Sequence, residues 1–144
     1  MPPKLLIAAL CALAFVPGTA HALKCVPPVL NAESFDEADV IFEGIVKTSR
    51  VRDAVVKLRR VKSKTHDFKI TRVWKGDIDA KTITVAGDPD WGMDFAPGNA
   101  YLVIANRTDE EPGYLIPLCS YTRLTAAAGA GLKFLKDNKT PIQE

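Results

Sequence analysis

Apolar residues gather in five short runs with the lengths of strands. Residues 101–105, Tyr-Leu-Val-Ile-Ala, are apolar at every position, the pattern of a strand buried on both faces. Pro97-Gly98 just before them predicts a tight turn. Residues 40–46, Val-Ile-Phe-Glu-Gly-Ile-Val, are also apolar on both faces, interrupted by Gly44, where a strand bends or another backbone comes close. In residues 68–74, alternation puts Phe68 and Ile70 on one face and Val73 on the other. A β-bulge near Arg72 restores a single apolar face and bends the strand. Residues 82–86 alternate with Ile83 and Val85 inward, and residues 114–119 form a final strand whose Pro117 suits an edge. The pattern predicts a mainly β domain of about five strands.

Two segments have helical signals. Ser34 and Glu37 have the spacing of a capping box, predicting a helix of a turn or two before the strand that begins by Val40. Near the other end, Thr125 is placed to cap a helix ending by Asn138, with Leu124, Ala128, Gly131 and Leu135 near helical spacing. Gly129 and Gly131 each cost such a helix about 1 kcal/mol relative to alanine. Pro27-Pro28 removes two backbone donors and predicts an extended surface segment.

The first residues belong to another pattern. Lys4, an apolar run over residues 5–16, the breaker Pro17-Gly18 and the small-x-small triplet Ala20-His21-Ala22 predict a secretory signal peptide over residues 1–22. Cleavage after Ala20 is the alternative, and the apolar run is too short for a transmembrane anchor. Residues 23–144 then form one domain, secreted or periplasmic, with no transmembrane anchor in the mature chain. Cys11 leaves with the signal, so Cys25 and Cys119 remain, with a single possible pairing in an oxidising compartment. Such a bridge closes a loop of about 94 residues and stabilises by roughly 4–5 kcal/mol in the chain-entropy account; two buried free thiols are the alternative.

Charge changes the picture most. With 19 Lys and Arg against 17 Asp and Glu, the chain is close to neutral. Yet residues 47–75 hold eleven of the basic residues against Asp53 and Asp67, a net of +9, while the rest of the mature chain carries seven basic and fifteen acidic residues, a net of −8. In residues 55–61 β-branched residues and cations mix, as in a half-solvated hairpin arm. Lys57, Arg59, Arg60, Lys62 and Lys64 are the candidate binding residues for an acidic protein or an anionic envelope surface. Residues 47–67 contain no Phe, Tyr or Trp to stack on bases, which ranks nucleic acid lower. A plain solvated face is the competing reading.

Catalytic chemistry finds little footing. His66 is the one histidine after signal removal, so no His-based metal cluster or Ser-His-acid arrangement can be drawn, and the expectation is a non-enzyme without cofactor or metal. Asp88, Asp90 and Asp94 could supply oxygens to calcium but read better as a carboxylate-rich turn. Asn106-Arg-Thr108 and Asn138-Lys-Thr140 match glycosylation sequons, without meaning in a bacterial source.

Four stretches together resemble the netrin-like, or tissue inhibitor of metalloproteinases-like, group of OB-fold domains in its secreted bacterial form: residues 38–44 (Ala-Asp-Val-Ile-Phe-Glu-Gly), 71–76 (Thr-Arg-Val-Trp-Lys-Gly), 95–103 (Phe-Ala-Pro-Gly-Asn-Ala-Tyr-Leu-Val) and 119–124 (Cys-Ser-Tyr-Thr-Arg-Leu). The resemblance implies a five-stranded OB-fold-like closed barrel with a short N-terminal helix and a C-terminal helix. Inhibitors of this group open with Cys-x-Cys, whereas this chain has Leu23-Lys24-Cys25 and, where the first cysteine's partner would stand, Trp91-Gly92. A Leu23–Trp91 contact in place of one bridge is therefore expected. In the inhibitors the first residue's amine and carbonyl bind the protease zinc and a small second side chain enters the specificity pocket. Leu23, Lys24 and Cys25 form the corresponding edge here, and the long, charged Lys24 departs from the pattern. Three functions remain open: a binding module with a basic hairpin, a metalloprotease-inhibitor-like protein acting through its N-terminal edge, and an envelope structural or scaffold domain.

Overall fold

The computed structural model describes residues 25, 28–56, 58–87 and 93–143. In chain order these form α1 (Ala32–Glu37), β1 (Val40–Val56), β2 (Arg59–Lys75), β3 (Thr82–Gly87), β4 (Ala100–Arg107), β5 (Tyr114–Leu115), β6 (Arg123–Leu124), a 3-10 turn (Thr125–Ala127) and α2 (Gly129–Asn138). Five strands close a ring: β1 pairs β2, β2 pairs β3, β3 meets β5 in parallel, β5 pairs β4, and β4 returns to β1. The short β6 adds beside β4. The chain is thus mainly β with a ring of five strands and two helices.

The β1–β4 pair sits at the centre. Its register runs Val40↔Ala105, Ile41↔Ile104, Phe42↔Val103, Glu43↔Leu102 and Gly44↔Tyr101. Residues 101–105 are all buried, as continuous apolarity predicts. Phe42, Tyr101 and Val103 pack inside the ring with Phe68, Val85 and Phe95. Ile41, Leu102 and Ile104 face outward against Phe35 of α1, Tyr121, and Ala128 and Leu135 at α2. The helices therefore cover the second apolar face of the central strands.

Gly44 shows why a side chain is missing there. A Cβ at that position would lie 3.1 Å from the Lys69 carbonyl oxygen and 3.2 Å from the Phe42 ring, too close for the interior aromatic cluster, in which Phe42 and Phe68 meet edge to face at 5.7 Å. The β1–β2 register also slips between Glu43 and Gly44, where β2 steps from Arg72 to Ile70, and again between Ile41 and Phe42, where it steps from Lys75 to Val73. The expected bulge near Arg72 is thus present. It returns Phe68, Ile70 and Val73 to the same interior cluster.

Several boundaries differ from the sequence expectation. The box at α1 is formed by Asn31 and Ser34 rather than Ser34 and Glu37: Ser34 N donates to Asn31 Oδ1 at 3.0 Å and Asn31 N donates to Ser34 Oγ at 2.9 Å. Asn31 is the better cap because it stands one turn earlier, leaving Ser34 at the third helical position. The strand expected over residues 114–119 is only Tyr114–Leu115, followed by the unexpected β6, since the chain turns over residues 117–120 with Ser120 N on the Pro117 carbonyl at 3.2 Å and Cys119 at φ +63. Thr125 opens the 3-10 turn instead of capping α2, and Leu124 lies in β6, exposed. Cys25 and Cys119 stand at disulfide distance, Cα atoms 5.4 Å apart. Leu23 and Trp91, and with them the expected contact between the two, lie outside the described residues, as does the segment 1–22.

Gly131 gives a test of this packing. Its N–H donates to the Tyr121 hydroxyl at 2.9 Å, and a Cβ there would fall 2.3 Å from Tyr121 Cε1. Helix propensity alone would make Gly131→Ala stabilising by about 1 kcal/mol. We predict the opposite sign, a loss of about 1–3 kcal/mol from overpacking in urea unfolding; a gain would mean that α2 does not press on Tyr121.

Candidate functional site

The β1–β2 hairpin is longer than the ring it helps to build. Each strand has 17 residues, against a usual strand of about 5–6. On β1 the pairing with β4 ends at Ile45↔Ala100, and the Pro97-Gly98 turn continues it by one step, with Val46 N on the Asn99 carbonyl at 3.0 Å and Gly98 N on the Val46 carbonyl at 2.8 Å. On β2 the pairing with β3 ends at Lys64↔Gly87. Beyond these points, among the described residues, β1 and β2 pair only with each other, from Arg52↔Ser63 to Val56↔Arg59. At about 3.4 Å per residue this two-stranded arm is roughly 20 Å long. A third register slip, between Val46 and Thr48, marks where the hairpin leaves the ring, and bulges turn a strand in this way.

The base of the arm is held by a polar cluster. The Asp67 carboxylate accepts from the hydroxyls of Thr48 and Thr84, each at 2.6 Å, and from the Arg50 guanidinium. Those hydroxyl donors, Thr48 then Thr84, hold its pKa below the ordinary 3.8, with the Arg50 and Arg52 charges adding to the effect against partial burial. One residue back, the buried His66 lies 4.6 Å from the Phe95 ring, centroid to centroid. The Ser49 hydroxyl donates to the Phe95 carbonyl at 2.9 Å. It must therefore accept from His66 Nδ1 at 2.8 Å, which leaves Nε2 unprotonated and without a hydrogen-bond partner among the described residues. Burial, reinforced by the Lys64 charge, lowers the His66 pKa from 6.5 despite Asp94 and Asp67. Lys64 donates to Asp94 at 2.8 Å.

The eleven basic residues divide accordingly, with Lys47 and Lys69 exposed on the ring itself and in no ion pair among the described residues. Arg72 and Lys75 belong to the body: Arg72 lies 3.5 Å from the Glu43 carboxylate, and Lys75 Nζ donates to the carbonyls of Phe35 and Asp36 at 2.7 and 2.8 Å. Arg50 and Lys64 pair at the arm base. Arg52, Arg60 and Lys62 are exposed along the arm and form no ion pair among the described residues. Of the five binding residues read from the sequence, Arg60 and Lys62 are thus solvent-facing and Lys64 is part of the clamp. Arg59 opens β2 with only its backbone described, and Lys57 lies outside the described residues. Arg52 was missed because its β1 segment was not read as a strand; the pairing Arg52↔Ser63 places it beside the others.

The remaining candidates are less coherent. Leu23 and Lys24 of the N-terminal edge lie outside the described residues, and Cys25 is tied to Cys119 between two clefts of about 350 and 260 Å³ that share Pro28 and residues 117–120. Asp88 and Asp90 are also outside, and no cluster of three potential metal ligands occurs among the described residues. No helix among them is long and apolar enough to cross a membrane. No protein-family model matches the chain, and no curated protein matches it.

Acid titration checks the clamp. Both folded pKa values are depressed, so the unfolded chain binds more protons and stability decreases as pH is lowered. The His66 contribution is fully present above 6.5 and is lost as pH drops below that value, and the Asp67 contribution is lost in a second window below 3.8. We expect urea midpoints of the parent to decline through both windows, His66→Gln to flatten the first and Asp67→Asn the second. Asp67→Asn should also cost about 1–3 kcal/mol at pH 7, as expected for losing hydrogen bonds to a charged group. A parent profile flat from pH 7 to 5 would contradict the His66 assignment.

Proposed function

We propose that this protein is a non-enzymatic, extracytoplasmic binding module that uses the cationic β1–β2 arm to engage an anionic partner surface. The observation that carries the reading is the set of exposed cations Arg52, Arg60 and Lys62, in no ion pair among the described residues, on a hairpin that extends past the ring while its base is fixed by Asp67 and His66. Folding does not require charges of one sign on such an arm, because exposed charges contribute little to stability. Concentrated on a projection, they raise the local concentration of an anionic partner and speed its encounter. A ring of five strands with helices on one side supports reading the fold as an OB-fold-like closed barrel of the netrin-like kind, with the arm as an extended hairpin of that barrel. The Cys25–Cys119 pair supports a signal-directed route to an oxidising compartment.

Salt-gradient elution from immobilised heparin, used as a generic polyanion, tests the assignment to the arm. Retention of the parent should weaken strongly between about 50 and 300 mM salt, where the screening length falls from roughly 14 to 6 Å. The triple variant Arg52→Gln, Arg60→Gln, Lys62→Gln should elute far earlier with its stability nearly unchanged. A control with the same charge loss on the C-terminal helix and just beyond it, Lys133→Gln, Lys136→Gln, Lys139→Gln, should elute near the parent. Equal shifts for the two triples would reduce the effect to net charge, and the arm would lose its role.

A further inference from the structure

The end of the arm holds the least expected side chain on the surface. Leu58, between the two strands, is 98% exposed and has φ +65. Both features run against leucine. Left-handed backbone disfavours residues with a Cβ and suits Gly or Asn, and water favours a polar group at a fully exposed turn. The stability of the fold supplies no reason for leucine here, and a residue that breaks local rules without a structural return is a candidate for function.

The stem below Leu58 is cationic on both faces. In a strand adjacent residues point to opposite sides, so Arg52 and Asp53 are on opposite faces. Their partners Ser63 and Lys62 follow them. Arg52 thus projects from one face of the ribbon, beside a cleft it shares with Glu111 and Pro112, and Lys62 with Arg60 from the other, where Asp53 stands opposite Lys62. A flat protein surface would meet one face of such a ribbon. An anionic bilayer meets both, because headgroups surround whatever enters them, and its order from negative surface to acyl interior matches cationic stem and apolar tip.

Resting on the reading of the arm as an anion-binding element, we propose that its partner is an anionic phospholipid bilayer, with Leu58 entering the acyl boundary and Arg52, Arg60 and Lys62 among the headgroups. One leucine and a few cations make this a reversible attachment. It requires no rearrangement of the ring.

Co-sedimentation with vesicles of phosphatidylcholine containing about 30% phosphatidylglycerol, against phosphatidylcholine alone, tests the proposal. The parent should bind the anionic vesicles and not the neutral ones. Leu58→Asn, which suits the left-handed backbone and leaves the charge unchanged, should weaken vesicle binding by about tenfold while heparin retention stays at the parent's level. The arm triple should lower vesicle binding by on the order of 100-fold and heparin retention as well. In Leu58→Trp, the emission in excess of the parent's should shift to the blue on anionic vesicles and be quenched by lipids brominated in the acyl chains. Leu58→Asn binding as tightly as the parent, or an added tryptophan untouched by brominated lipid, would overturn the insertion. A parent that ignores anionic vesicles but keeps arm-dependent heparin retention would overturn the lipid partner and leave an acidic protein as the arm's target. Heparin retention indifferent to the triple would remove the underlying reading itself.

Discussion

The pairing of β1 with β4 is the constraint on which the other elements depend. A strand apolar at five consecutive positions, 101–105, must be covered on both sides, and its antiparallel partner shares that requirement at Val40, Ile41 and Phe42. Inside, Phe42, Tyr101 and Val103 set the diameter of the ring that β2, β3 and β5 complete. Outside, Ile41, Leu102 and Ile104 would each forfeit about 1.5–3 kcal/mol if left in water. The helices are placed where they prevent this: α1 sets Phe35, and α2 with its leading residue sets Leu135 and Ala128, over the pair.

The same strand that is buried twice in its first half is solvated in its second. β1 changes character near the slip between Val46 and Thr48, just past the end of its pairing with β4. β2 keeps β3 beside it as far as Lys64, and from Arg52↔Ser63 outward the two strands pair, among the described residues, only with each other, a ribbon that would be marginal alone. What fixes them is the base, where Asp67 gathers Thr48, Thr84 and Arg50, and His66 and Ser49 tie β2 and β1 to Phe95. Rigidity is thus supplied where the arm leaves the ring, and Arg52 at its base still shares a cleft with Glu111 of the β4–β5 loop.

The strands buried by continuous or alternating apolar runs were legible from the residues, including the bulge near Arg72 and the close approach at Gly44. Those signals are local periodicities, and packing agreed with them. The arm was legible as a charged segment but not in its length, because a solvated ribbon has no apolar face to mark its strands. The clamp was not legible at all: Asp67 meets Thr48 and Thr84, each 17–19 positions away in sequence, and nothing local distinguishes it from a surface carboxylate. The helix starts failed for a related reason. Asn31 and Ser34 compete with Ser34 and Glu37 for the same turn, and Thr125 loses its capping role because residues 123–124 are drawn to β4. Gly131 reads as a weak helix former, and its cause is the Tyr121 ring, ten positions away.

If the arm is a binding appendage clamped onto a self-sufficient ring, it should be removable. The direct measurement is on a variant in which Asn-Gly replaces residues 52–63, a two-residue loop suited to joining the paired residues Val51 and Lys64. The account predicts one cooperative thermal transition within a few degrees of the parent, near-UV circular dichroism retained, and retention on heparin lost. Failure to fold would make the arm part of the structural core, and a folded variant that keeps the parent's retention would place the binding surface elsewhere on the molecule.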